Sequence, residues 1–155
     1  MKKIEYIVSN DLHIKEDNWK QVLSCVKEQI DFAKENEVKE VYFLGDIFNS
    51  RKSQSIEVLH AFMNILDYAE SQNIKVVAIP GNHDKTDYKS EISFLDAFKH
   101  HPSLELIVKP TLIGSVTLIP FFDDSILIDL LERQKPNKYL FSHFAVNGRV
   151  NNDGS

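Results

Sequence analysis

Lys75-Val76-Val77-Ala78-Ile79-Pro80-Gly81-Asn82-His83-Asp84 is the stretch that decides the fold. A short apolar run rich in β-branched residues reads as a strand covered on both faces. Pro80-Gly81 then ends it in a turn that carries three polar side chains. The same order recurs elsewhere in the chain. An apolar run at 4–8 precedes Asp11-Leu12-His13, Val41-Tyr42-Phe43-Leu44 precedes Gly45-Asp46, and Tyr139-Leu140-Phe141 precedes Ser142-His143. Each polar group is therefore expected in a loop at the C-terminal end of a strand.

The segments between these strands have helical spacing. Over 18–36, Trp19, Val22, Leu23, Val26, Ile30 and Ala33 recur at intervals of three and four, with Asp17 as the expected N-cap. Over 55–72, Ile56, Leu59, Met63, Leu66 and Ala69 form a second stripe. Strand–helix–strand order predicts parallel neighbours joined by right-handed crossovers, an α/β fold. After Gly81 the pattern loosens: a short helix is expected over 92–99, strands at 104–108 and 116–119, and a helix over 124–134. There is no repeat, low-complexity tract or linker, so residues 1–155 form one domain or part of one.

The 155 residues, 43% hydrophobic and 26% charged, suffice for a globular core. No apolar run is long enough to span a membrane, and Glu5 interrupts the opening residues before a signal-peptide core develops. The lone Cys25 excludes an internal disulfide, which suits a reducing cytoplasm, and it is expected as a small buried hydrophobe. A net charge of −5 argues against a broad basic surface for nucleic acid. It leaves a nuclease open, because bound cations offset acidic ligands locally.

Taken singly, the polar groups are ambiguous. Asp11 and His13 suit a turn residue and an exposed histidine as well as a metal pair, although alternate residues of an extended segment share a face. Gly45-Asp46 is ordinary turn chemistry, and Ser142-His143 is one histidine after a strand. Gly81-Asn82-His83-Asp84 offers a sharp turn, a neutral amide ligand, and an imidazole beside a carboxylate that can fix its tautomer. At one end of one sheet, where open α/β folds build their sites, the four groups together point to a centre for manganese, iron or zinc. His60 is expected to be packed or half-exposed, and His100-His101 to close a helix. Tyr88, Lys89 and Glu91 are candidates for lining a substrate cleft.

In order, Asp11-X-His13, Gly45-Asp46, Gly81-Asn82-His83-Asp84 and His143 resemble the first four motifs of the calcineurin-like metallophosphoesterases. The resemblance implies a metallophosphoesterase-like sandwich of mixed, largely parallel sheets flanked by helices. It also implies two divalent metal ions, manganese first, with magnesium, iron(II) or zinc as alternatives. By that analogy Asp11 and His13 hold one metal, Asn82 and His143 the other, and Asp46 bridges. His83 meets the phosphate or protonates the leaving oxygen, and Asp84 orients it. Gly45-Asp46-Ile47-Phe48-Asn49-Ser50-Arg51-Lys52 is similar to the nuclease subunits of SbcCD and of phage recombination complexes, with Asn49 in place of the usual aspartate. The run from Ser142 to Gly148 is similar to the phage proteins. This implies a DNA nuclease in repair or recombination, partnered by an SbcC/Rad50-type ATPase and possible as a homodimer, in the cytoplasm of a bacterial or phage-infected cell. Arg51 and Lys52 then suit a DNA phosphate, or else a solvated loop. Related phosphodiesterases and protein phosphatases share the same residues, as does a non-catalytic scaffold.

The family's fifth motif, Gly-His-X-His, has no counterpart here. After His143 the remaining candidates are Asn147, Asn151, Asn152 and Asp153. The expectation is a fold incomplete toward its C-terminus, either a fragment of a longer protein or a short form with a disabled site, with each metal one ligand short, reduced metal affinity, low or no activity, and 151–155 as an unfinished loop.

Overall fold

The structure is a computed structural model that describes residues 4–122, 124–133 and 137–144, with 124–126 and 130 described by backbone alone. Four parallel strands, β1 (Ile7–Ser9), β2 (Glu40–Leu44), β3 (Lys75–Ile79) and β4 (Leu104–Leu106), form one sheet in that order. A second sheet has the order β5 (Thr111–Ile113), β6 (Val116–Ile119), β7 (Tyr139–Ser142), with β5 antiparallel and β7 parallel to β6. The helices are α1 (Trp19–Glu35), α2 (Ile56–Ser71) and α3 (Asp124–Arg133), and a 3₁₀ turn spans Phe94–Phe98.

Side-chain alternation along β2 and β3 explains why both strands are apolar throughout. Val41, Phe43, Val76 and Ala78 pack beneath α1 and α2, with Val26, Ile30, Phe62 and Leu66. Tyr42, Val77 and Ile79 face the other way, against Val116 and Leu118 of β6. The first sheet is thus the middle layer between helices and the second sheet, the expected sandwich. Tyr6 ties the two sheets: its hydroxyl lies 2.7 Å from Ser115 Oγ, and its ring meets Tyr42, Tyr139 and Phe141 edge-on at 5.3–5.7 Å.

Several expectations shift. β1 begins at Ile7 rather than at residue 4, because Ile7 pairs with Val41 and β2 starts at Glu40, leaving residues 4–6 without a ladder partner. β5 was not expected: a three-residue strand between Pro110 and Gly114 is too short to show periodicity, and pairing across a two-residue turn creates it. The 92–99 segment is the 3₁₀ turn, its start closed by a reciprocal Ser93–Asp96 capping box. Asn18, not Asp17, occupies the N-cap of α1, and Asp17 pairs with Lys15 at 3.3 Å. Ile56 is 77% exposed because the buried stripe of α2 runs through Val58, Ala61, Phe62, Ile65, Leu66 and Ala69. Cys25 and His60 are exposed for the same reason, lying beside rather than on the buried stripes. His101 does not simply close a helix. Its Nε2 lies 3.1 Å from Asp67 of α2, and its Nδ1 accepts from the Ser103 amide. Among the described residues, no helix is long and apolar enough to cross a membrane.

Candidate metal centre

The loops after β1, β2, β3 and β7 meet at one edge of the molecule. The first two are laced together by main-chain bonds, Asp11 N to Gly45 O (3.2 Å), His13 N to Asp46 O (2.9 Å) and Ile14 N to Ile47 O (2.9 Å). Asn18 secures the first loop to α1, accepting from Lys15 N (2.9 Å) and donating to His13 O (3.0 Å). Asp11, His13 and Asp46 all adopt left-handed backbone conformations, with φ of 54°, 44° and 50°. Each such residue costs ~1–3 kcal/mol unless its surroundings impose it, and such residues concentrate at functional sites. The Asp11 and His13 side chains therefore converge through a left-handed kink, not through the pleat of an extended segment.

Asp46 sits at the centre, 4% exposed. Its Oδ1 accepts from the His83 amide at 2.9 Å and lies 3.4 Å from His143 Nε2, while Oδ2 lies 3.8 Å from His13 Nε2. Burial raises the pKa of Asp46, but the His143 ring and the His83 amide, with the charges of both histidines, more than offset it and hold the carboxyl below its ordinary value. For His143 burial acts downward, and the bonded Asp46 carboxylate outweighs it, leaving the imidazole raised.

The donors fit cations. His143 Nδ1 lies 2.8 Å from Leu44 O, a carbonyl that only accepts, so the neutral ring carries its proton there. Nε2 then turns a lone pair toward Asn82 Oδ1 (3.1 Å) and Asp46 Oδ1 (3.4 Å). Three lone pairs facing one another attract only with a proton or a cation between them. A ring nitrogen fixed by a backbone carbonyl, with the other turned inward, is also the usual posture of a metal-bound histidine. His13 shares only the inward-facing nitrogen: Nε2 faces Asp11 Oδ1 at 3.5 Å, whereas its buried Nδ1 has no hydrogen-bond partner among the described residues.

At this edge two groups could hold an ion, His13–Asp46–His83 and Asp11–Asp46–His143, their candidate ligand atoms lying within 4.8 Å of one another in each. Asp46 belongs to both, as a bridging anion must. Two details add to the expected ligand sets. Besides its 3.5 Å approach to His13, Asp11 comes within ligand reach of His143 and Asp46, and His83 comes within ligand reach of His13 and Asp46.

Asp84 departs from its expected role. It does not orient His83, whose Nδ1 is instead held by Asn49 O at 2.7 Å. That contact uses the main chain, so asparagine in place of aspartate at 49 leaves it intact. The fully buried Asp84 carboxylate accepts from Gly81 N (2.8 Å), Phe48 N (2.9 Å) and Ile47 N (3.3 Å), clamping the β2 and β3 loops together. Burial pushes its pKa up to about 6 against the opposing pull of those amides. The folded chain thus keeps a proton that the unfolded chain releases. Asp84's contribution to stability is fully present below pH 3.8 and is lost as pH rises to about 6. A carboxyl NMR titration of the metal-free protein is expected to place its midpoint near pH 6, whereas a midpoint near 3.8 would mean that the amides dominate.

Glycine is required at two positions for closeness. A Cβ on Gly81 would lie 2.3 Å from both Asp46 N and Asp46 Oδ1, and one on Gly45 (φ +87°) 2.6 Å from His143 Nδ1.

Arg51 is exposed, and its guanidinium carbon lies 4.2 Å over the Tyr88 ring. Tyr88 meets Phe121, and Phe121 meets His143, so the Tyr88 expected at a cleft does flank the centre. Glu91 instead pairs with Lys109 at 3.6 Å. Sequence reasoning missed Phe121, the buried Lys85 beside Asp84, and the role of Asn49; only the position of Lys85 directly after the motif offered a signal. Asn147, Gly148 and residues 151–155 lie outside the described residues.

The chain is similar to several known proteins. The family model for calcineurin-like phosphoesterases matches residues 5–149. Exonuclease subunit 1 of Enterobacteria phage T4 is 24% identical over 144 residues, covering 86% of this chain and 42% of that protein. A solved structure of Pseudomonas putida nuclease MPE superposes with a TM-score of 0.47 at 19% identity, covering 72% of this chain and 52% of that one. The chain thus spans less than half the length of the phage relative.

Proposed function

The chain belongs to the calcineurin-like phosphoesterase family, and we propose that it is a metal-dependent phosphodiesterase acting on DNA, the nuclease part of a repair or recombination assembly. The observation that carries this is the Asp46 carboxylate, buried and shared between two groups of ligand atoms. The proposed ligands are Asp11, His13, Asp46, Asn82 and His143. Two divalent cations there, manganese in the first instance, would activate water and compensate charge on the attacking and leaving oxygens of an in-line displacement.

The chain's own part is orientation and proton supply. Asn49 O fixes the Nδ1 side of His83, leaving Nε2 to give a proton to the departing oxygen. Asp84 keeps the loops bearing Asp46 and His83 in register by holding their amides. Support for DNA as substrate comes from the Gly45–Lys52 stretch and from the phage relative, itself named an exonuclease subunit. The word subunit in that name also supports an assembly, for which an SbcC/Rad50-type ATPase is the proposed partner.

The test measures metal content and manganese-dependent hydrolysis of bis-nitrophenyl phosphate and single-stranded DNA, beside His83→Ala. We expect two metals per chain in both proteins and a ~10²–10³-fold slower variant, the usual cost of a positioned acid. A variant that loses a metal makes His83 a ligand instead of the acid. A wild-type chain with no metal-dependent turnover overturns the proposal for this chain and matches the low activity expected without the Gly-His-X-His motif.

A further inference from the structure

An aromatic and cationic wall runs beside the metal centre, and the scissile phosphate does not need it. It begins at Arg51, two residues past the Asn49 carbonyl that holds His83. The loop bearing Arg51 is set by its own bonds: Ser50 Oγ accepts from Lys52 N and Ser53 N, and Gln54 Nε2 donates to Ser50 O. The guanidinium carbon then stands 4.2 Å over the Tyr88 ring. Tyr88 meets Phe121 edge-on at 5.0 Å, and Phe121 reaches the His143 ring at 6.4 Å. Phe121 is fixed at its main chain, its amide donating to Pro80 O (3.0 Å) and its carbonyl accepting from Lys85 Nζ (3.1 Å). Lys85 is 1% exposed, so a buried ammonium serves to hold this segment.

The wall thus spans the centre from its His83 side to its His143 side, and its outer end carries an exposed positive charge in a set position. Free arginines lose side-chain entropy when they bind; one already stacked on an aromatic ring loses less. The chain as a whole is acidic, with a net charge of −5, and the metal centre is built on carboxylates. A lone phosphodiester is fully served at that centre. A polynucleotide brings further phosphates along its backbone, and each needs a cation outside the centre.

Building on the nuclease reading above, we propose that Arg51 binds a second, non-scissile phosphate of a single-stranded polynucleotide. Tyr88 acts as the positioning residue for Arg51, and the Lys85-anchored Phe121 backs Tyr88. The structural consequence is a substrate preference for strands with at least two phosphates over single phosphodiesters.

The test is fluorescence-anisotropy binding of a labelled 20-nucleotide single strand with manganese, in a His83→Ala background that slows cutting. Arg51→Ala is expected to weaken binding about tenfold, as loss of one charged hydrogen bond does. It is also expected to reduce the slope of log K against log salt by ~0.7, the share of one phosphate contact on a single strand. Tyr88→Ala is expected to weaken binding about threefold, Tyr88→Phe to restore it, and Tyr88→Ala to add nothing once Arg51→Ala is present. That last result separates positioning through Arg51 from general loosening of the fold. Unchanged affinity and salt slope in Arg51→Ala, with the parent binding the strand, overturn this assignment and leave the nuclease reading intact. A wild-type chain that hydrolyses bis-nitrophenyl phosphate but neither binds nor cuts the strand overturns both the DNA reading and this one.

Discussion

Asp46→Asn is expected to empty both metal positions and to lower metal-dependent phosphodiester hydrolysis by ~10⁴ or more, the top of the range for a positioned catalytic group. The substitution is nearly isosteric, so the site keeps its shape. One carboxamide oxygen can still accept from the His83 amide, which Asp46 Oδ1 does at 2.9 Å. The carboxamide nitrogen then takes the place of Oδ2, 3.8 Å from His13 Nε2, where a donor cannot ligate a cation. The shared negative charge also disappears from both groups, leaving Asp11 as the one carboxylate of its group and none in the group of His13 and His83. Metal analysis and calorimetric manganese titration report the outcome, with Asp11→Asn as the comparison that should weaken one position more than the other. Two metals retained in Asp46→Asn would show that the bridge lies elsewhere.

The second large effect falls on stability. Gly81→Ala is expected to cost ~3 kcal/mol or more, since overpacking against an immovable neighbour costs at least the usual ~1–3 kcal/mol. The added methyl would sit 2.3 Å from the Asp46 amide nitrogen and from its carboxylate oxygen. The first is backbone, and the second is buried and held by the His83 amide at 2.9 Å. Gly81 cannot retreat either, because its own amide is tied to Asp84 Oδ2 at 2.8 Å. The methyl therefore displaces the proposed bridging carboxylate or breaks the Asp84 clamp, and metal binding is lost with stability. Urea unfolding midpoints of the metal-free proteins measure this directly. A shift equivalent to under ~1 kcal/mol, the range of well-tolerated substitutions, would mean that the β2 and β3 loops separate easily.

Both expectations rest on residues that were legible in the sequence. Asp46 followed from Gly-Asp at the end of an apolar strand, and its place in both ligand groups agrees with a bridge. Asp84 was equally visible and was misread. Adjacent in sequence to His83, it suggested a carboxylate–imidazole pair, whereas the turn at Gly81 sends its carboxylate inward to three amides. Neighbours in a tight turn need not face the same way. The helices show the same limit: apolar spacing located α1 and α2 but misjudged Ile56 and Cys25, because spacing gives a stripe's existence more reliably than its edges.

The order of the main strands and helices, β5 aside, the end of the sheet that carries the polar loops, and the chemical types of the proposed ligands were determined by sequence. They depend on local signals: apolar runs, a glycine, and a polar residue within a few positions. Tertiary structure decided which atoms face one another. His143 Nδ1 meets the carbonyl of Leu44, 99 residues away, and only that contact turns Nε2 toward Asp46. The left-handed backbone at Asp11, His13 and Asp46 is likewise imposed by ladders between two loops. The wall from Arg51 through Tyr88 and Phe121 to His143 assembles from four separate segments. Such contacts depend on how layers stack, and a linear pattern carries no record of them.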